Sequence, residues 1–173
     1  MNFHFNNYGN LDGKVIECNF QEMYDFLVLK TDNIKRRAEL VEKLQSFLND
    51  ELIQQYTSTI NCMYLDGSFC TNKKYPGDID ILGLINIENN NGYNLISNKE
   101  LHQVIRQYAK DKFEIDFLVT ADPLSLPQNI NQYQLIFDDM EKHKQAWLDF
   151  FCQDRNGNSK AVVKLDVRGG VLI

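Results

Sequence analysis

The chain has 173 residues, 43 % of them hydrophobic and 24 % charged, and a net charge of −6. That length and balance suit one globular domain with a buried core and exclude a disordered or low-complexity chain. Acidity is a poor match for gripping long nucleic acid through its phosphates, so a small nucleotide or another protein is the expected partner.

The opening residues, Met1-Asn2-Phe3-His4-Phe5-Asn6-Asn7, lack a basic start followed by an apolar block, so no signal peptide is expected. Residues 1–18 read as an irregular arm with Gly9, Gly13 and several asparagines. Asn19 and Glu22 stand as a capping box for a short helix over 20–29, with Phe20, Tyr24, Leu27 and Val28 on its apolar face. The clearest helix covers 31–56, where Ile34, Ala38, Val41, Leu44, Leu48 and Leu52 recur at three and four residues. Thr31 or Asp32 is the expected cap, and Lys35, Arg36, Glu39, Glu42 and Lys43 form a solvated face.

An apolar strand over 60–65 ends at a Gly67-Ser68 turn, and a polar loop with Lys73 and Lys74 leads to a second strand over 78–88. Asn89-Asn90-Asn91-Gly92 reads as a turn. A helix follows to about 111, capped by Ser97 or Asn98, and 113–119 is the third core strand. The segment 122–127, with Pro123 and Pro127, is a loop; 128–136 is loop or strand. A helix over 137–151 carries Met140, Trp147 and Phe151; Trp147, Phe150 and Phe151 read as core. After a turn at 154–158, residues 161–167 alternate like an edge strand, and 168–173 is a short tail. Arg155 and Lys160 read as surface, and His102 and His143 as solvent-facing helix positions.

The four cysteines, Cys18, Cys62, Cys70 and Cys152, are scattered and form no zinc pattern with the three histidines. Free thiols and a cytoplasmic setting are expected. No apolar run reaches the length of a membrane span, so no membrane partner is expected. The element order is that of an α+β fold, a small mixed sheet with helices packed mainly on one face.

The chemistry concentrates between Tyr64 and Leu82. Asp78 and Asp80 alternate with Ile79 and Ile81, which puts both carboxylates on one face of a strand, about 7 Å apart. Such a pair beside a glycine turn suits a hard divalent cation. A strand ending in Gly67-Ser68, a nine-residue spacer and then Asp78-Ile79-Asp80 resembles the DNA polymerase beta-like nucleotidyltransferase superfamily. The flanking stretches look like a branch of small stand-alone bacterial and phage members.

The resemblance implies that Gly67 and Ser68 hold nucleotide phosphates, and that Asp78 and Asp80 hold Mg²⁺ or Mn²⁺. It also implies a third carboxylate on a later strand, which is metal ligand and general base. Asp116 is the candidate, and Glu114, two residues away, is its competitor; the apolar flanks Ile115 and Phe117 favour Asp116. Lys73 and Lys74 are candidate triphosphate contacts, with a solvated loop as the alternative. The implied activity transfers a nucleoside monophosphate from a triphosphate to an acceptor, a protein hydroxyl or small molecule before RNA. Two alternatives stand beside it. One is an inactive module of the same fold that binds a partner protein, as in a toxin–antitoxin or phage-defence pair; the other is a phosphohydrolase using the same metals.

Overall fold

The structure, a computed structural model, describes residues 3–126 and 133–173. The described residues form an α+β fold, one six-stranded mixed sheet with six α-helices. The strands are β1 (Val15–Glu17), β2 (Ile60–Asp66), β3 (Ile79–Ile85), β4 (Ile115–Ala121), β5 (Val162–Arg168) and β6 (Val171–Leu172). The main order is β1-β5-β2-β3-β4, and β6 pairs with β5. β5, β2 and β3 run antiparallel to their neighbours in turn; the β1–β5 and β3–β4 pairs are parallel.

The helices are α1 (Phe20–Tyr24), α2 (Ile34–Leu48), α3 (Gln54–Thr57), α4 (Asn90–Ser97), α5 (Lys99–Phe113) and α6 (Gln134–Phe151). Asn19 and Glu22 form the expected capping box on α1, which continues as a wider π-type turn over Asp25–Leu29. The long helix starts later than expected, because Asn33 rather than Thr31 or Asp32 accepts the capping N–H. It also breaks after Leu48, with a turn before α3. Residues 89–92 are not a turn: the Asn89 side chain accepts from the Asn91 N–H and starts α4. Asn98 caps α5. The loop or strand expected over 128–136 falls partly on 127–132, outside the described residues; from Gln134 the chain is already α6.

Most of the helices pack on one face of the sheet. There Leu40, Leu44, Phe47, Ile105 and Phe113 meet Met63, Leu65, Ile81, Phe117, Val163 and Leu165 in the larger core. α6 lies on the opposite face, where Leu148 and Phe151 cover Cys62, Tyr64, Leu82, Leu84 and Val162. The four cysteines are free. Among the described residues no helix is long and apolar enough to cross a membrane.

Both chain termini are more structured than their composition implies. The expected arm contributes β1, and Leu11 is fully buried. The expected tail contributes β6. The largest correction concerns β5, which is not an edge strand but lies between β1 and β2. Its alternation has another cause: α6 covers only part of that sheet face, so Val162 is buried while Lys164 and Asp166 remain accessible.

Candidate functional site

Side chains alternate across a strand, so Cys62, Tyr64 and Asp66 share one face of β2, Leu84, Leu82 and Asp80 one face of β3, and Leu118 and Asp116 one face of β4. The register aligns the last member of each: Asp66 faces Asp80, and Asp80 faces Asp116. Three carboxylates thus stand side by side on three neighbouring strands. They lie on the face that α6 covers, just past the end of its apolar cluster. A cleft of about 740 Å³ opens there, lined by these three aspartates with Asp78, Gly67, Ser68 and Phe151 among others.

Each carboxylate has a different environment. Asp66 is buried and lies 2.7 Å from Lys160 Nζ, itself buried. Burial raises the Asp66 pKa, and Lys160 opposes that rise. Asp116 is gripped by Arg106 and approached by Lys110, and the Arg106 hydrogen bonds hold its pKa below the usual carboxylate range. Asp80, in the middle, has no such partner among the described residues. Burial pushes its pKa up to about 6, with Asp78, Asp66 and Asp116 adding repulsion and Lys160 opposing it.

A carboxyl whose pKa is raised on folding favours the folded state when protonated, so its cost appears as pH rises from about 4 towards 6 and is complete above that. Asp80→Asn should therefore stabilise the metal-free protein by about 1–2 kcal/mol at pH 8, after discounting for solvent, and by almost nothing at pH 4. Urea denaturation at the two pH values checks this; equal effects at both would remove the crowding argument.

The turn between β2 and the spacer loop is built around Asp80. Gly67 sits in the left-handed region at φ +74°, and a Cβ there would collide with the Asp80 carboxylate. Its missing side chain makes room for the aspartate, a use that stands beside the close phosphate approach expected of it. The Ser68 hydroxyl accepts the Gly77 N–H at 3.3 Å and ties the two ends of the spacer together. Lys73 lines the cleft. Lys74 is not among the lining residues, and its ammonium lies over the Tyr75 ring.

Glu114 is excluded from the row. It ends α5 in a left-handed conformation, φ 57°, before β4 begins, and pairs with Arg36 at 2.9 Å and Lys43 at 2.7 Å. It does not share a strand face with Asp116. Arg36 also donates to the carbonyls of Pro76 and Gly77, so this cluster fixes the loop immediately before Asp78.

Several site residues escaped the sequence reading. Lys160 is buried, not surface, because β5 inserts beside β2 and carries its leading residues to the cleft. Arg155 is exposed as expected but lines the same cleft. The loop that holds both is organised by Asp154, whose carboxylate accepts from Asn10, Asn156 and Asn158. Phe150 was expected in the core; it is 70 % exposed and borders the cleft, while Phe151 beside it is buried. His102 is half-buried and bonded to the Phe117 carbonyl rather than facing solvent.

The least expected residue is Arg37. It is fully buried on α2, and its two terminal nitrogens donate to the carbonyls of Leu27, Phe69, Thr71 and Lys73. It thereby sets the path of the loop from the Gly67 turn to Lys73. A signal was present: Arg37, Val41, Leu44 and Leu48 follow the helical apolar stripe.

Among the described residues no three acidic, histidine or cysteine side chains already stand in metal-binding geometry. Asp78 and Asp80 nonetheless fit a small hard cation. Mg²⁺ commonly takes only one or two protein carboxylates, leaving its other positions to water and phosphate. Among the described residues Asp80 makes no ion pair of its own; Lys160, paired with Asp66, is the opposing charge, while three carboxylates crowd Asp80. A family of unknown function, DUF6932, has a model that matches residues 3–166, so the chain belongs to it. No curated protein and no solved structure matches the chain.

Proposed function

We propose that this protein is a metal-dependent nucleotidyltransferase that moves a nucleoside monophosphate from a nucleoside triphosphate to an acceptor hydroxyl. The observation that carries the reading is the register of Asp80 against Asp116 beside the Gly67-Ser68 turn, in a cleft large enough for a nucleotide. The mixed sheet with helices packed mainly on one face is also the architecture expected for that resemblance.

In the reaction the acceptor oxygen attacks the α-phosphorus, the bond to pyrophosphate breaks, and the acceptor proton leaves to a base. Such transfers are governed by positioning and charge neutralisation. Asp78 and Asp80, with Asp116 as third ligand, would hold a divalent ion, which supplies Lewis-acid neutralisation of the transferring group. Asp116 accepts the proton. Lys73 and Arg155, both on the cleft wall, are placed to meet phosphate oxygens. Phe150 offers an exposed ring at the same wall for a base to stack on.

The second reading is a partner-binding module that keeps the fold without turnover. The Arg106–Asp116 pair favours it, because a site retired from metal binding would neutralise its carboxylates internally. One experiment separates the two. Melting temperature is measured with Mg²⁺ or Mn²⁺ and each of the four nucleoside triphosphates, beside an Asp78→Asn/Asp80→Asn control. The transferase reading expects a metal-dependent rise of a few degrees with at least one nucleotide, absent from the control. No rise with any nucleotide would sink it in favour of the module. Release of nucleoside monophosphate without an acceptor would identify a phosphohydrolase instead.

A further inference from the structure

The third carboxylate of the row already has a cation, and the cation is the protein's own. Arg106 holds Asp116 through two nitrogens, Nε to Oδ1 at 2.5 Å and Nη2 to Oδ2 at 3.0 Å, and Lys110 Nζ stands 3.4 Å from the same Oδ2. Forked guanidinium–carboxylate pairs are among the strong charge-assisted bonds, so any external cation must compete with this one. Arg106 and Lys110 are one turn apart on α5 and share a helix face.

The partners differ in freedom. The Asp116 side chain is 16 % exposed, whereas those of Arg106 and Lys110 are 42 % and 51 % exposed. Both cations border two spaces, the aspartate cleft and an adjoining open depression along α5 lined by Glu100, Gln103 and Gln107. The carboxylate is fixed in the sheet; the cations can leave it without disturbing the core.

Charge decides when they leave. A divalent ion at Asp80 and Asp116 would remove the negative charge that holds Arg106 and would repel it as well. A triphosphate entering with that ion brings negative charge to the same place. We propose that Arg106 is a phosphate-binding residue that exchanges partners, neutralising Asp116 in the empty cleft and moving to the triphosphate when a divalent ion takes Asp116. The exchange rests on the nucleotide reading of this cleft. It makes the ion alone bind against Arg106 and the ion with triphosphate bind with its help, so one side chain couples the two ligands.

The test is calorimetric titration of wild type, Arg106→Gln and Arg106→Lys with Mn²⁺ alone and with preformed Mn²⁺–tripolyphosphate, a probe without a base. Arg106→Gln should bind Mn²⁺ about threefold or more tighter and the tripolyphosphate complex about fivefold or more weaker, opposite signs from one substitution. Arg106→Lys, which keeps the charge and loses the fork, should fall between on both. If wild type binds Mn²⁺ and Arg106→Gln binds it equally or more weakly, Arg106 is a fixed partner of Asp116; the exchange is overturned and the nucleotide reading stands. If neither wild type nor the variants bind Mn²⁺, alone or with tripolyphosphate, the exchange and the reading beneath it both fall.

Discussion

Arg37→Met is expected to destabilise the protein by about 3–5 kcal/mol, although methionine nearly matches the length of the lost side chain and is apolar. The expected loss comes from what remains. Four carbonyls, of Leu27, Phe69, Thr71 and Lys73, lose their guanidinium donor, at 2.5–3.0 Å in the native protein. Each buried acceptor left without a partner costs about 1–3 kcal/mol, and local rearrangement recovers part of that sum. Burial also lowers the Arg37 pKa, so the charge is held at some expense and kept for the four bonds it makes. Arg37→Lys should lose nearly as much, because an ammonium cannot span four acceptors in the plane of a fork. Urea or guanidinium denaturation measures both. A loss below about 1 kcal/mol in either variant would show that the loop holds its path without the arginine.

Lys160→Met should have a comparable effect with a distinct pH signature. The substitution leaves Asp66 buried beside Asp80 with its counter-ion gone. Breaking one partner of a buried pair typically costs about 3–5 kcal/mol. Burial already raises the Asp66 pKa, and removing Lys160 raises it further, so the folded variant takes up a proton that the unfolded chain releases. Its stability must fall as pH rises, and its deficit against wild type must shrink as pH falls towards 5. Adding Asp66→Asn should restore most of the loss at pH 8, since two neutral groups need no pairing. A deficit independent of pH, or a double variant no better than the single one, would mean that Lys160 acts through packing.

Much of the site was legible because its signals are local. Gly67-Ser68, the spacer and Asp78-Ile79-Asp80 lie within fourteen residues, and strand alternation sets the face that Asp80 takes. The Asn19–Glu22 box and the helix stripes are equally local. The reading failed where long-range pairing decides. Nothing near residue 162 says that this strand inserts between two others, so Lys160 could not be placed beside Asp66. Glu114 and Asp116 look alike in a strand pattern; the left-handed cap that separates them depends on where α5 stops. Asp66 could have been found, because an aspartate closing an apolar strand directly before the Gly-Ser turn must face something at that sheet end.

The insertion of β5 also has a consequence in time. Val162 pairs with Val15 on one side, and Val163 pairs with Leu65 on the other. Until β5 has been synthesised, β1 has no partner and β2 has one bare edge. Pairings of such sequence separation carry a large loop-closure entropy and slow the folding of small domains. During translation the earlier helices and the β2–β3–β4 portion can collapse first, with an unpaired apolar strand at their margin that invites association with other nascent chains. The aspartate end of the sheet is then completed by the late strand, and a growing chain carries its aspartates together before it carries the lysine that balances one of them.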